Sequence, residues 1–211
     1  MNRAFTAAIA SATALGLSAC ALLSSPDPVQ LYRFGANLDL QSEGLARAGT
    51  RPVALRRVQF PRATSGERIL AVTGDQAAYL AGARWVSPAD VLFTDALENS
   101  FSVRSRQVRL IGRNELTPAD LMLELDVRQF EARYDGGQGA APTVHMVVHA
   151  RMLQYPERVI AEERTFATTV PAADNRVSAI VAAYSAGTDQ ITDQIVQWSD
   201  TVAARPQVPA R

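Results

Sequence analysis

The second half of the chain alternates between apolar and charged residues, which is the pattern of a strand with one buried face. From residue 121 the apolar positions are Leu121, Leu123, Leu125 and Val127. After Gln129 the phase changes, and the apolar positions become Phe130, Ala132 and Tyr134. Because a one-residue shift moves every following side chain to the other face of a sheet, this change of phase predicts a β-bulge.

The same periodicity predicts further strands. Residues 143–155 and 159–170 also alternate, and short connections between these segments predict an antiparallel meander with the strand that begins at residue 121. Shorter apolar runs earlier in the chain predict strands at residues 31–34, 53–60, 69–73, 76–80 and 108–111. Gly74 and Asp75 lie between two of these runs and predict a hairpin turn.

Two segments have the periodicity of helices instead. Ser87, Pro88 and Asp90 are typical of a helix start, with Ser87 as the capping residue, and they predict a helix over 88–103. A second helix is predicted after Asp174 as its cap, with an apolar stripe formed by Val177, Val181, Tyr184, Ile191, Ile195 and Trp198. Such a stripe is typical of one helix lying across a sheet, or of a coiled-coil seam. We expect an α+β fold, with a mainly antiparallel sheet and two helices packed against it.

The first nineteen residues have the organisation of a bacterial signal peptide, with Arg3 followed by an uncharged apolar run too short to span a bilayer. Residues 17–20, Leu-Ser-Ala-Cys, resemble the lipobox of bacterial lipoproteins, whose cysteine is acylated and becomes the first residue of the mature protein. We therefore expect a lipid anchor on Cys20. The alternative is a secreted protein with a coincidental cysteine. Ala21 follows Cys20 where Asp would favour the inner membrane, so we expect the outer membrane, on the periplasmic side of the envelope.

These features divide the chain into four parts. Residues 1–19 are the predicted signal peptide, 20–30 the lipidated cysteine with a tether, 31–202 one folded domain, and 203–211 a disordered tail. The tether has no periodicity and contains two prolines. As a flexible coil it would span roughly 18 Å, which would keep the domain close to the membrane.

Charge and composition argue against several classes of function. The chain has 21 basic and 21 acidic residues, so its net charge gives no support to a nucleic-acid partner. Its basic side chains are all Arg apart from two histidines. Cys20 is the only cysteine, so no disulfide can form within one chain.

No catalytic constellation is visible in the sequence. His145 and His149 are four residues apart, which on a strand is about 13 Å, too far for direct binding of one metal ion. The chain contains no phosphate-binding glycine loop, nucleophile elbow or Cys-x-x-Cys motif, so we expect neither an enzyme nor a cofactor. A series of arginines is typical of a solvated surface, or alternatively of a contact with an anionic partner; it comprises Arg104, Arg106, Arg109 and Arg113.

Four features of the chain occur together. They are the lipobox, a Tyr-Arg-Phe strand at residues 32–34, Arg-Trp-x-x-Pro at residues 84–88 before a helix, and the closing segment at residues 166–185. This combination resembles the ABC-type transport auxiliary lipoproteins, including the paraquat-inducible protein C branch. The resemblance implies a non-catalytic, membrane-anchored docking protein, present as an oligomer. Its partners would be an MCE-domain (mammalian cell entry) protein and the associated permease and ATPase, which move phospholipids or other lipids between inner and outer membranes.

Trp85 has two interpretations. Its ring can close the core between sheet and helix, or it can anchor a partner at an interface shared with Arg84 and Tyr79. Two other functions remain open besides lipid transport. One is an envelope assembly or secretion accessory lipoprotein, and the other is a lipid carrier, which would need an apolar cavity large enough for an acyl chain.

Overall fold

The computed structural model describes residues 28–35, 50–112, 115–137 and 139–205. The predicted signal peptide, Cys20 and most of the tail and tether therefore lie outside the described residues. Within them the chain forms eight strands and two helices. The strands are β1 (Gln30–Tyr32), β2 (Arg51–Gln59), β3 (Arg68–Thr73), β4 (Gln76–Trp85), β5 (Val108–Ile111), β6 (Leu121–Arg133), β7 (Thr143–Gln154) and β8 (Val159–Pro171), and the helices are α1 (Ala89–Arg104) and α2 (Val177–Ala203).

All eight strands belong to one sheet, which is organised around β6. One edge of β6 pairs with β7 along its whole length, and β8 continues the sheet beyond β7. The other edge is shared. Its first half pairs with β2, which in turn pairs with β5, while Ala132 and Arg133 at its end pair with β3. Strands β4 and β1 continue outward from β3, so the sheet forks into two arms, β2–β5 and β3–β4–β1.

The predicted α+β architecture with two helices is confirmed, but the sheet is mixed rather than mainly antiparallel. Strands β6, β7 and β8 form the predicted antiparallel meander, and β3–β4 form the predicted hairpin. In contrast, β2 and β3 both run parallel to β6, β5 runs parallel to β2, and β1 runs parallel to β4. The bulge predicted in β6 is present as a register shift between Val127 and Gln129.

Both helices pack on one face of the sheet. The apolar stripe of α2 is buried against β7 and β8, so α2 is a single helix on a sheet. Gly187 allows this close approach, because a Cβ at that position would lie 3.2 Å from the Met146 Cε and Sδ atoms. Helix α1 packs beside α2, and the buried hydroxyls of Ser100 and Thr192 lie 2.9 Å apart between them.

The predicted helix caps are wrong. Helix α1 begins at Ala89 with Pro88 at its N-cap, so Ser87 does not have the predicted role. Asp90 instead accepts the first-turn N–H of Val91 at 2.9 Å. Helix α2 begins at Val177 with Arg176 at its N-cap and lacks a side-chain cap. Asp174 instead accepts a hydrogen bond from the backbone N–H of Arg176 at 2.8 Å, so it orders the turn before the helix.

Candidate functional site

The three residues predicted for a partner interface all lie on β4, which is longer than predicted. The predicted strand ends at Leu80, but the observed strand continues to Trp85 past an irregularity at Gly82. Gly82 has a φ of +65°, a conformation that glycine adopts without steric cost. Beyond it, Ala83 and Trp85 point into the core and Arg84 points outward.

Trp85 belongs to the core, since only 1% of it is exposed. Its ring packs edge-to-face on Phe34, with centroids 4.8 Å apart, and on Tyr184 of α2, at 5.1 Å. Phe130 of β6 extends the same cluster, 5.0 Å from Tyr184. Edge-to-face contacts of this kind add to the free energy of burying aromatic area. The ring of Trp85 therefore closes the core, and the described fold presents none of it to a partner.

Tyr184 links the aromatic cluster to the β3–β4–β1 arm. Its hydroxyl donates to the backbone carbonyl of Leu70 in β3, at 3.4 Å. Burial raises the pKa of Tyr184 well above its ordinary value, with the negative charge of Glu131 acting in the same direction. This arm is therefore held on the core through a neutral tyrosine.

The outer face of the arm carries a different set of side chains, which we call the arginine surface: Leu31, Arg68, Tyr79 and Arg84. Leu31, Arg84 and Arg68 occupy matching positions on the neighbouring strands β1, β4 and β3. The Arg68 guanidinium lies 3.9 Å from the centroid of the Tyr79 ring, a cation–π contact. The Tyr79 hydroxyl donates to the carbonyl of Ala63, at 3.1 Å. Two of the predicted interface residues, Arg84 and Tyr79, thus share one surface, whereas Trp85 points away from it.

The uncovered face of β6, β7 and β8, which we call the meander face, is also polar. Glu124 accepts from Arg56 at 2.6 Å and lies 2.9 Å from Arg151, and these three residues line a groove of about 570 Å³. Both arginines thus share one carboxylate as their acidic partner.

The two histidines lie on β7, as the period-two pattern predicts, and both are half-buried on the meander face. His149 Nδ1 is 3.1 Å from the Thr165 hydroxyl, and its Nε2 is 3.5 Å from a Glu163 carboxylate oxygen. Among the described residues, no three His, Cys, Asp or Glu side chains are placed to hold a metal ion. The contacts with Thr165 and Glu163 can therefore fix the orientation of the His149 ring.

The arginine series, which begins at the last residue of α1, is mostly engaged in local contacts. Arg104 lies 3.8 Å from Asp193, and Arg109 pairs with Glu115 at 2.6 Å, which lowers the pKa of that carboxyl. Arg113 lies outside the described residues. The backbone N–H of Arg106 donates to Asp200. These contacts favour the solvated-surface interpretation.

Asp200 is a structural residue that sequence reasoning missed. Its carboxylate accepts the Ser105 hydroxyl at 2.6 Å and the backbone N–H groups of Gln107 and Val108 at 3.0 and 3.1 Å. It thereby joins the end of α2 to the loop between α1 and β5. These contacts could not be predicted from the sequence, because no local pattern around Asp200 indicates that it binds a loop about ninety residues earlier.

The end of the sheet where β6 begins exposes several apolar side chains, which we call the apolar end: Leu116, Tyr155, Val159 and Ile160. Leu116 is 99% exposed, and it lines a groove of about 450 Å³ together with Met122 and Tyr155. The neighbouring Val159 and Ile160, on β8, are about half exposed. Exposed apolar residues that lie close together are typical of contact surfaces. The apolar end and the arginine surface lie toward opposite ends of β6.

Comparison with known protein families identifies the family of this chain. The model of the ABC-type transport auxiliary lipoprotein component family matches residues 38–196. The chain belongs to this family. The predicted resemblance is therefore confirmed, and the auxiliary lipoprotein family associates this fold with an ABC-type transport system.

Solved structures support the fold. Protein XCC0632 from Xanthomonas campestris is 23% identical with a TM-score of 0.65, and the match covers 72% of this auxiliary lipoprotein and 85% of that chain. The hypothetical protein CT253 from Chlamydia trachomatis is 10% identical with a TM-score of 0.52, covering 74% and 98%. No curated protein sequence matches this one. Neither described helix is long and apolar enough to cross a membrane.

Proposed function

We propose that this auxiliary lipoprotein is the anchored docking component of a system that moves phospholipids or other lipids between inner and outer membranes. Membership of the auxiliary lipoprotein family carries the proposal. In this role Cys20 bears the acyl chains that hold the protein at the outer membrane, and several copies assemble. The partners are an MCE-domain protein and its permease, and ATP hydrolysis belongs to a separate ATPase subunit. The lipoprotein itself has no catalytic step.

The packing of the core supports docking rather than carriage of lipid. A carrier needs an apolar cavity that shields an acyl chain, and the space between sheet and helices is the natural place for it. Here that space holds the aromatic cluster, in which Trp85, Tyr184 and Phe130 make ring contacts and are at most 2% exposed. A filled core suits a protein that binds other proteins by its surface.

We assign contact with the MCE-domain partner to the apolar end. Strand β1 follows Cys20 after ten residues and lies in the β3–β4–β1 arm, which joins β6 at its far end. The apolar end is separated from that junction by most of the length of β6. We therefore propose that the apolar end is the part of the sheet that a partner arriving from the periplasm contacts.

Purification of the full chain through a C-terminal tag from gently solubilised membranes tests both the function and this assignment. We expect the MCE-domain protein, permease and ATPase to co-purify with the wild type. An Ile160→Arg variant should lose them, because it places a charge in an apolar contact. Val91→Arg is the matched control, since Val91 is 46% exposed on α1 and Ile160 is 49% exposed on β8. Recovery of an unrelated secretion or assembly machine would instead support the envelope-accessory alternative.

Mass spectrometry of the mature N-terminus tests the anchor separately. We expect a terminal Cys20 that carries fatty acyl groups, and a Cys20→Ser variant that leaves the membrane fraction. An unmodified mature terminus would refute the lipoprotein assignment of this chain.

A further inference from the structure

The arginine surface lies close to the predicted anchor along the chain. Gln30, where β1 begins, is the tenth residue after Cys20. A peptide chain extends at most about 3.3–3.6 Å per residue, so β1 cannot be farther than about 36 Å from the anchored cysteine. Leu31 of this strand is aligned with Arg84 of β4. If Cys20 is acylated, as the proposed function requires, this surface is held within reach of the bilayer.

The charges of this surface have no acidic partner among the described residues. Arg68 and Arg84 are exposed, form no ion pair there and face each other across the β3–β4 pair. Arg33, just after β1, is exposed and unpaired in the same way. Like charges placed opposite each other on a sheet repel, and in the described part of the fold only the cation–π contact of Arg68 with Tyr79 offsets this repulsion. An anionic ligand would relieve the repulsion.

Apolar side chains surround these arginines. Leu31 is 62% exposed, Val29 46% and Val86 41%. The backbone N–H of Val86 donates to the carbonyl of Tyr32, which places Val86 beside β1. Guanidinium groups bind phosphate oxygens through paired hydrogen bonds, whereas exposed aliphatic and tyrosine side chains partition into the headgroup region of a bilayer. The combination matches the chemistry of an anionic phospholipid surface.

We infer that the arginine surface rests on the anionic phospholipids of the membrane that holds Cys20. The acyl chains supply the retention, because two or more chains already anchor a protein stably. The arginine surface therefore determines orientation rather than affinity. It turns the β3–β4–β1 arm toward the bilayer and the apolar end toward the periplasm. A surface meant only for a protein partner would not need to lie beside the tether.

A single fluorescent label tests the orientation. Acylation converts Cys20, the only cysteine, into a thioether, so an introduced cysteine is the only free thiol. The full acylated chain is labelled with an environment-sensitive dye at Val86→Cys or, as the matched control, at Ile160→Cys in the apolar end. It is then reconstituted into vesicles of phosphatidylcholine alone or of equal parts phosphatidylcholine and phosphatidylglycerol. Lipids with a nitroxide on the headgroup quench dyes that touch the surface.

In anionic vesicles we expect quenching at residue 86 to be several-fold stronger than at residue 160, and the difference to shrink in neutral vesicles or high salt. Arg68→Gln with Arg84→Gln should reduce quenching at residue 86 to the neutral-vesicle level. Arg106→Gln with Arg158→Gln removes the same charge from exposed positions outside the arginine surface and should leave the quenching unchanged.

The outcomes separate this inference from the anchor. Protein that floats with both kinds of vesicle, but shows equal quenching at residues 86 and 160, keeps the anchor and overturns the membrane-facing surface. Protein that floats only with anionic vesicles, with residue 86 quenched, keeps the surface and discards the anchor. Protein that floats with neither discards both. Loss of co-purifying proteins in the Arg68/Arg84 variant, without any change in quenching, assigns the surface to a protein partner and overturns the inference.

Discussion

The meander face and the arginine surface belong to one sheet, but their arginines differ in whether they have acidic partners. On the meander face, Glu124 lies between Arg56 and Arg151, so both arginines have an acidic partner within the chain. On the arginine surface, Arg68 faces Arg84 without an acidic partner among the described residues. In the first region each arginine of the trio has an acidic partner. In the second, the described part of the chain supplies none, and in our inference an external anion takes that place.

The difference follows from where each region lies. The meander face is formed by long strands that are adjacent in sequence, so acidic and basic positions come to lie opposite one another along the ladder. The arginine surface is assembled from β1, β4 and β3, and β1 is the strand that directly follows the predicted tether. Exposed charges left unpaired beside apolar side chains mark a region that has a use beyond folding.

The largest expected effect comes from the inner side of β4. Trp85→Ala removes the ring that packs on Phe34 and Tyr184, and should lower the free energy of unfolding by about 3–5 kcal/mol. Denaturant titration of the wild type and the variant measures the change. Val86→Ala, at the next and exposed position, should change it by less than about 0.5 kcal/mol. Equal effects at the two positions would contradict the assignment of Trp85 to the core and weaken the contrast between the two sides of β4.

Alkaline pH tests the support of the same arm. The pKa of Tyr184 is raised by burial, so the unfolded chain releases this proton at about pH 10 while the folded chain retains it. Stability is therefore complete below pH 10 and falls above it, by up to about 1.4 kcal/mol per pH unit for this group. Tyr184→Phe should remove most of this slope. Partial burial also raises the pKa of Tyr134, so a shallower slope should remain and disappear only when Tyr134→Phe is added.

Sequence patterns predicted the elements well but not how they pair. Period-two alternation places β6, β7 and β8 within about one residue of their observed bounds, because each strand has one face on the core. Alternation contains no information on strand direction, so the parallel pairing of β2 and β3 with β6 was not predicted. The predictions of the capping residues were wrong for a related reason. Ser87 and Asp174 have side chains that can cap a helix, but the conformation of the surrounding chain decides whether they reach the helix amides.

The candidate site was predictable only in part. Sequence suggested Arg84 and Tyr79 as interface residues, and both lie on the outer face of β4. Arg68 was missed, because continuing the hairpin register from Leu70 and Tyr79 would place it opposite Ala81. The irregularity around Gly82 brings Arg84 there instead. Such a shift depends on tertiary packing of the residues beyond it, and no local pattern in the sequence encodes it.

The meander face should respond moderately to loss of a charge. Glu124 is the shared partner of two arginines and its side chain is only 15% exposed, so Glu124→Gln should cost about 1 kcal/mol of unfolding free energy. Asp126→Asn is the control, because Asp126 is 46% exposed and lies 3.6 Å from Arg128, and we expect almost no change. Thermal and denaturant unfolding measure both. If Glu124→Gln has no effect, the meander face is not held together by its own charges.

The smallest expected effect has the opposite sign. Arg84→Gln removes a positive charge that faces Arg68 across an antiparallel pair, so it should stabilise the protein by a few tenths of a kcal/mol at low salt. Added salt should abolish the gain, because screening weakens the repulsion in the wild type as well. Arg106→Gln, on the loop after α1, should leave stability unchanged at either salt concentration. A loss of stability in Arg84→Gln would mean that Arg84 is compensated within the fold. The arginine surface would then resemble the meander face, and the repulsion would no longer point to an external anion.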